Sequence, residues 1–182
     1  GGGGGGGGGR PPDLIPSRAP PNTALCFSVP YVAAMAAALA EHALLARLLP
    51  LTTPPIAALA ALGAALSAAG QALRWAAMLT AGPAFSHAIA LPGSPARPGH
   101  TRVVRAGPYA WARHPAYLGW SAWAVGLCGV LFSPACAFLF TLLCLRFFRA
   151  RIAAEEAGLL SLFGEEYAAY AAVTRTWLPG VP

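Results

Sequence analysis

The stretch Gly107–Trp120, "GPYAWARHPAYLGW", stands at the entrance to a long apolar run. A helix entering lipid has no need of Arg113, His114 and Pro115 flanked by Tyr109 and Tyr117, so the cluster asks for a second role. Pro115 disfavours helical backbone at His114 and suits the first turn of a helix that starts there. Backbone N–H groups at such a start can receive an anion, and Arg113 and His114 would reinforce that preference. Tyr109, Trp111 and Tyr117 supply aromatic surface. A single His or Tyr at a membrane interface is usually an anchor at the headgroup level. Five polar or aromatic residues between Tyr109 and Tyr117 exceed that reading.

The rest of the chain supplies the setting. Of 182 residues, 57% are hydrophobic and 10% charged, with a mean hydropathy of +0.57. Soluble domains carry about a quarter charged residues, so the composition points to a membrane. All twelve basic residues are arginine, and the net charge of +6 suits an anionic membrane surface. Nothing forms the basic patch on a soluble fold that nucleic-acid binding requires. Cys26, Cys128, Cys136 and Cys144 lack metal-ligand spacing and read as small buried hydrophobes, so no metal is expected.

Residues 1–30 open with nine glycines and continue through "RPPDLIPSRAPPN", a low-complexity stretch expected to be a disordered tail. Residues 31–182 form the expected membrane domain, an all-α polytopic bundle. Its four anticipated spans lie near 31–49, 56–80, 116–132 and 134–148. They pair as two hairpins with both tails on one side. Glu41 and His42 fall in the middle of the first span, where a charge costs roughly 2.5–3.5 kcal/mol. A polar site within the membrane is one reading; a paired structural carboxylate, or a helix lying partly out of the bilayer, is favoured over it. Gly63, Ser67 and Gly70 in the second span permit close helix packing. The "LFSPAC" turn separates the third and fourth spans, and an amphipathic C-terminal helix follows, interrupted at Gly164. The connections near 50–55 and 132–135 contain no arginine, whereas the loop at 81–114 holds four. The positive-inside rule therefore assigns that loop and the C-terminal segment to the cytosol.

Arg151 and Glu155 are four residues apart and share a helix face. Glu156, Glu165 and Glu166 lie close by, in a chain with six acidic residues altogether. Together with "RHPAY", this gathering reads as a site rather than a solvated helix end.

"GPYAWARHPAYLGW", "LRFFRARIAAEEAGLLSLFGEEYAAY", "TRTWLPG" and the upstream "LRWAAMLTAGPAFSH" resemble the isoprenylcysteine carboxyl methyltransferases, from about residue 30 to the end. The resemblance implies an integral membrane enzyme of the endoplasmic reticulum whose active site faces the cytosol. Its methyl donor would be S-adenosylmethionine, and its acceptor the C-terminal S-prenylcysteine carboxylate of CaaX-processed proteins, reached through membrane lipid. His100, Thr101, Arg102, Val103, Tyr109, His114, Pro115, Ala116, Tyr117 and Glu155 would hold the cofactor, and Arg151 would face the acceptor carboxylate as catalytic residue. Two departures from the family pattern are Ala90, where members offer a glutamine, and the pair Ala153 and Ala154 within the acidic run.

The chemistry suits these residues independently. An α-carboxylate with a pKa near 3.5 is already ionised at neutral pH, so no general base is needed. "RHPxY" with paired Glu also occurs in phospholipid N-methyltransferases, which is the alternative enzyme reading. The glycine-tract start and short first span leave open a truncated, non-catalytic membrane protein. A Rossmann-type methyltransferase is excluded by the lack of an alternating strand/helix pattern.

Overall fold

The computed structural model describes residues 25–87 and 101–180. Five α-helices account for most of them: α1 (Leu25–Leu48), α2 (Pro54–Ala81), α3 (Pro115–Val130), α4 (Pro134–Phe163) and α5 (Glu165–Val173). Short 3-10 turns at Gly82–Ala84 and Gly107–Ala110 flank the long loop. The glycine tract, Ala90 and His100 lie outside the described residues.

Proline sets three of the helix starts. α2, α3 and α4 each carry it in their first turn, where a missing N–H costs nothing. α1 begins at Leu25 rather than at Tyr31 and takes Pro30 into its second turn, at the loss of one intrahelical hydrogen bond. The largest difference from expectation is α4. It runs unbroken for 30 residues, about 45 Å, instead of ending near 148 and restarting as a separate amphipathic helix. The stretch holds no proline after its first residue, and its one internal glycine, Gly158, is buried in packing. Termination waits for Gly164, whose φ of 50° few other residues adopt readily and whose N–H bonds Leu160 O at 2.8 Å.

Across the bundle the order is α1, α4, α3, α2. The two expected hairpins exist as connections, but α1 packs chiefly on α4 and α2 on α3. Glu41 explains the first preference. Its carboxylate accepts the N–H groups of Ala135 and Cys136, each at 2.9 Å, at the otherwise orphaned start of α4. Ser133 Oγ donates to Ala38 O at 2.7 Å, and His42 Nδ1 reaches Leu131 O at 2.5 Å. Glu41 is therefore a structural cap, and its negative charge faces the positive end of the α4 dipole.

Small residues explain the second preference. Gly63, Ser67 and Gly70 of α2 meet Gly126, Trp123 and Gly119 of antiparallel α3 with backbones in contact. Ser67 Oγ donates to Trp123 O at 3.0 Å. The core then forms on one stripe of α4, with Phe140, Cys144, Phe148 and Ile152 four residues apart. Ala124, Trp120, Trp123 and Tyr31 pack against it, with Leu178 returning from the C-terminal segment. Cys128 and Cys144 are buried free thiols, as their apolar surroundings suggest.

Among the described residues, α1 and α2 are long and apolar enough to cross a membrane by length and composition. α3, at 16 residues, covers about 24 Å of a ~30 Å core.

Candidate active site

Three elements converge where α3 begins and α4 passes alongside: the 3-10 turn at Gly107–Ala110, the first turn of α3, and the second half of α4. The C-terminal segment ties them together. Arg113 N–H donates to Arg175 O at 2.9 Å, Ala112 forms a parallel bridge with Arg175, and Trp177 Nε1 donates to Trp111 O at 2.7 Å. Thr174, Thr176 and Leu178 are buried while Arg175 and Trp177 are exposed, and the backbone turns at Trp177, whose φ is 59°. Tyr170 of α5 donates its O–H to Tyr109 O at 2.7 Å.

These elements enclose a cavity of about 130 Å³ that opens at one side. Val103, Tyr109, His114, Pro115, Ala116, Tyr117, Arg151 and Glu155 all line it. Thr101 and Arg102 do not. They line a more open neighbouring groove with Arg105 and Glu166. The reason is local: Glu166, at the start of α5, accepts Val103 N–H at 3.3 Å and pairs with Arg105 at 3.6 Å. That fixes the loop at Val103 and leaves Thr101 and Arg102 exposed beyond it.

The charges divide cleanly. Glu156 lies 3.2 Å from Arg113 Nε and 3.1 Å from His114 Nε2, both partners being nearly fully buried. The anion expected near Arg113 and His114 is thus the protein's own Glu156. Glu155 instead faces the cavity, accepting the Tyr117 hydroxyl at 2.7 Å with His114 Nδ1 at 3.8 Å. Arg151 Nε donates to the Tyr117 hydroxyl at 2.8 Å, and a terminal nitrogen of its guanidinium donates to His87 O. The Tyr117 ring stacks on His114 at 5.5 Å and on Phe148 at 4.9 Å. Glu165 stays exposed, so the four clustered carboxylates serve different ends.

Burial pushes the Tyr109 phenol up to about 12, with the nearby Glu155 charge adding to the effect. Burial likewise raises Tyr170 to about 12, against the opposing pull of Arg113 and Arg105. Tyr167 is also raised, first by burial and then by Glu156. All three are neutral hydrogen-bonding groups at physiological pH.

Sequence reasoning missed Arg74, Phe85, Leu159, Phe163, Tyr167 and Tyr170 as lining residues. Arg74 is half-buried and reaches Ala116 O at 3.4 Å across the α2–α3 seam. An arginine near the end of an otherwise apolar helix was the available signal.

Fold and site together define a helical integral membrane protein with an aromatic-walled, arginine- and carboxylate-bearing cavity at its helix ends. Residues 62–161 match the isoprenylcysteine carboxyl methyltransferase family. The chain is 35% identical over 157 residues to a probable protein-S-isoprenylcysteine O-methyltransferase of Oryza sativa subsp. indica, covering 86% of this chain and 80% of that one. It is 42% identical over 121 residues to the protein-S-isoprenylcysteine O-methyltransferase of Mus musculus, covering 66% of this chain and 41% of the mouse protein. A solved eukaryotic intramembrane Ras methyltransferase superposes with a TM-score of 0.74 at 33% identity, covering 85% of this chain and 54% of that one. The chain belongs to the isoprenylcysteine carboxyl methyltransferase family. It spans about half the length of the animal relative and of the solved structure.

Proposed function

We propose that this chain transfers a methyl group from S-adenosylmethionine to the α-carboxylate of a C-terminal S-prenylcysteine. The observation that carries the reading is the convergence of Arg151, Glu155, Tyr109 and the His114–Tyr117 turn on one cavity at the helix ends. The donor set suits such a cofactor. Glu155 offers a carboxylate to cationic or hydroxyl groups, Tyr109 and Phe163 offer aromatic surface to a base, and Arg74 offers a cation to an amino-acid carboxylate. When bound, the cofactor supplies an electrophilic methyl group on a sulfonium.

Arg151 holds the acceptor carboxylate, which is ionised at neutral pH and needs no base. A fully bidentate grip would blunt the nucleophile. Arg151 already spends Nε on Tyr117 and a terminal nitrogen on His87 O, which limits that grip. Phe85, Leu159 and Phe163 would displace water from the lining where the ionised acceptor meets the cofactor, which would favour a reaction that disperses charge. Holding the acceptor carboxylate with Arg151 beside the residues that would bind the cofactor would supply most of the acceleration. The prenyl chain would reach the cavity from lipid, each buried CH₂ contributing roughly 0.8 kcal/mol. Four membrane crossings, the endoplasmic reticulum and a cytosol-facing cavity complete the reading, supported by Arg102 and Arg105 in the groove beside the cavity and Arg113 in its wall.

The test compares membranes bearing the wild-type chain with membranes bearing Arg151→Ala, using N-acetyl-S-farnesylcysteine and labelled S-adenosylmethionine. The wild type should form ester, and the variant should remain in the membrane and form none. Equal turnover by both removes the role assigned to Arg151.

A further inference from the structure

Arg151 and Glu155 occupy adjacent turns of one face of α4, the spacing at which a guanidinium and a carboxylate ordinarily pair. They do not pair with each other. The Tyr117 hydroxyl, arriving from α3, stands between them, accepting from Arg151 Nε at 2.8 Å and donating to Glu155 at 2.7 Å. Its ring stacks on both His114 and Phe148, contacts that limit the hydroxyl's freedom to withdraw. The Arg151 guanidinium lies 5.6 Å from the same ring's centre.

We propose that Tyr117 is a positioning residue that works as a spacer. It keeps Arg151 and Glu155 from closing into an ion pair, and so leaves Arg151 for the acceptor and Glu155 for the cofactor. A direct pair would be self-satisfied and would compete with both ligands for the same charges. A neutral phenol engages each charge with one hydrogen bond and leaves its remaining sites open. This assignment rests on the function proposed above and adds a separate task to the place Tyr117 has in the wall of the cofactor cavity.

Phenylalanine at 117 keeps the ring and its stacking but removes the spacer. Tyr117→Phe should therefore raise the acceptor KM about tenfold at saturating cofactor, the size of one lost charge-assisted contact. Its melting temperature should stay within a few degrees of wild type. The deciding arm is Glu155→Gln, which removes the charge that Arg151 would otherwise collapse onto. In that background, Tyr117→Phe should change acceptor KM by less than about twofold. The same tenfold loss in both backgrounds would show that the hydroxyl simply contacts a ligand, and an unchanged KM in the wild-type background would also overturn the spacer. Wild-type membranes that methylate no prenylcysteine would defeat the underlying function and this role with it. Methylation with either contrary KM result would defeat the spacer alone.

Discussion

Gly70 of α2 and Gly119 of α3 oppose each other so closely that a Cβ on either would stand 2.5 Å from the other's carbonyl oxygen. Gly63 and Gly126 repeat the contact seven residues away on each helix, at 2.7 and 2.6 Å. The seam sets the cavity floor, because the Arg74 backbone N lies 2.8 Å from that same Cβ position on Gly119 and the Arg74 side chain reaches Ala116. Gly70→Ala should therefore destabilise the fold by about 1–3 kcal/mol or more, since backbone on the far side cannot yield. Gly129→Ala, whose nearest neighbour would be 3.2 Å away, should cost less. Thermal melting in detergent gives the ranking, and equal melting temperatures would contradict the seam.

Glu41 supports the other half of the bundle. Replacing it with Ala leaves the N–H groups of Ala135 and Cys136 without their acceptor and should cost about 1–2 kcal/mol. Activity per folded molecule should hold, because Glu41 is remote from the cavity. A variant with wild-type melting but no activity would reverse this view of Glu41.

Glu155→Gln should weaken cofactor binding about tenfold, whereas Arg151→Ala should leave it within about twofold. Equilibrium binding of labelled S-adenosylmethionine to detergent-solubilised protein separates the two. The reverse order would exchange the roles assigned to these residues.

Tyr109 and Tyr170 fix a pH dependence of stability. Each ionises near 10 when unfolded and near 12 when folded. The unfolded chain therefore releases protons first as pH rises, and stability falls with pH between about 10 and 12. Below 10 the two phenols contribute in full. Melting temperature should decline across that interval, accompanied by late-appearing tyrosinate absorbance, and a phenolate signal at pH 10 in folded protein would contradict their burial.

Much of this was legible in the chain. Pro115 fixed the start of α3, Gly164 the end of α4, and the small residues of α2 its packing face. The pairing of α1 with α4 was not, because Glu41 finds its partners 94 and 95 residues away. The unbroken course of α4 was hidden by its change from apolar to charged near Arg146, which alters the solvent and not the helix. At the site, spacing put Arg151 and Glu155 on one face correctly, yet it could not reveal the phenol from α3 that separates them. Nor could it separate Val103, which Glu166 holds at the cavity, from Thr101 and Arg102 beyond it. His100 lies outside the described residues.

The most direct measurement of the central claim is the product itself. Membranes bearing this chain, given labelled S-adenosylmethionine with N-acetyl-S-farnesylcysteine and phosphatidylethanolamine side by side, should put a base-labile methyl ester on the farnesylcysteine and leave the lipid unlabelled. Base-stable label on the phospholipid alone would contradict the account and assign the cavity to phospholipid N-methylation.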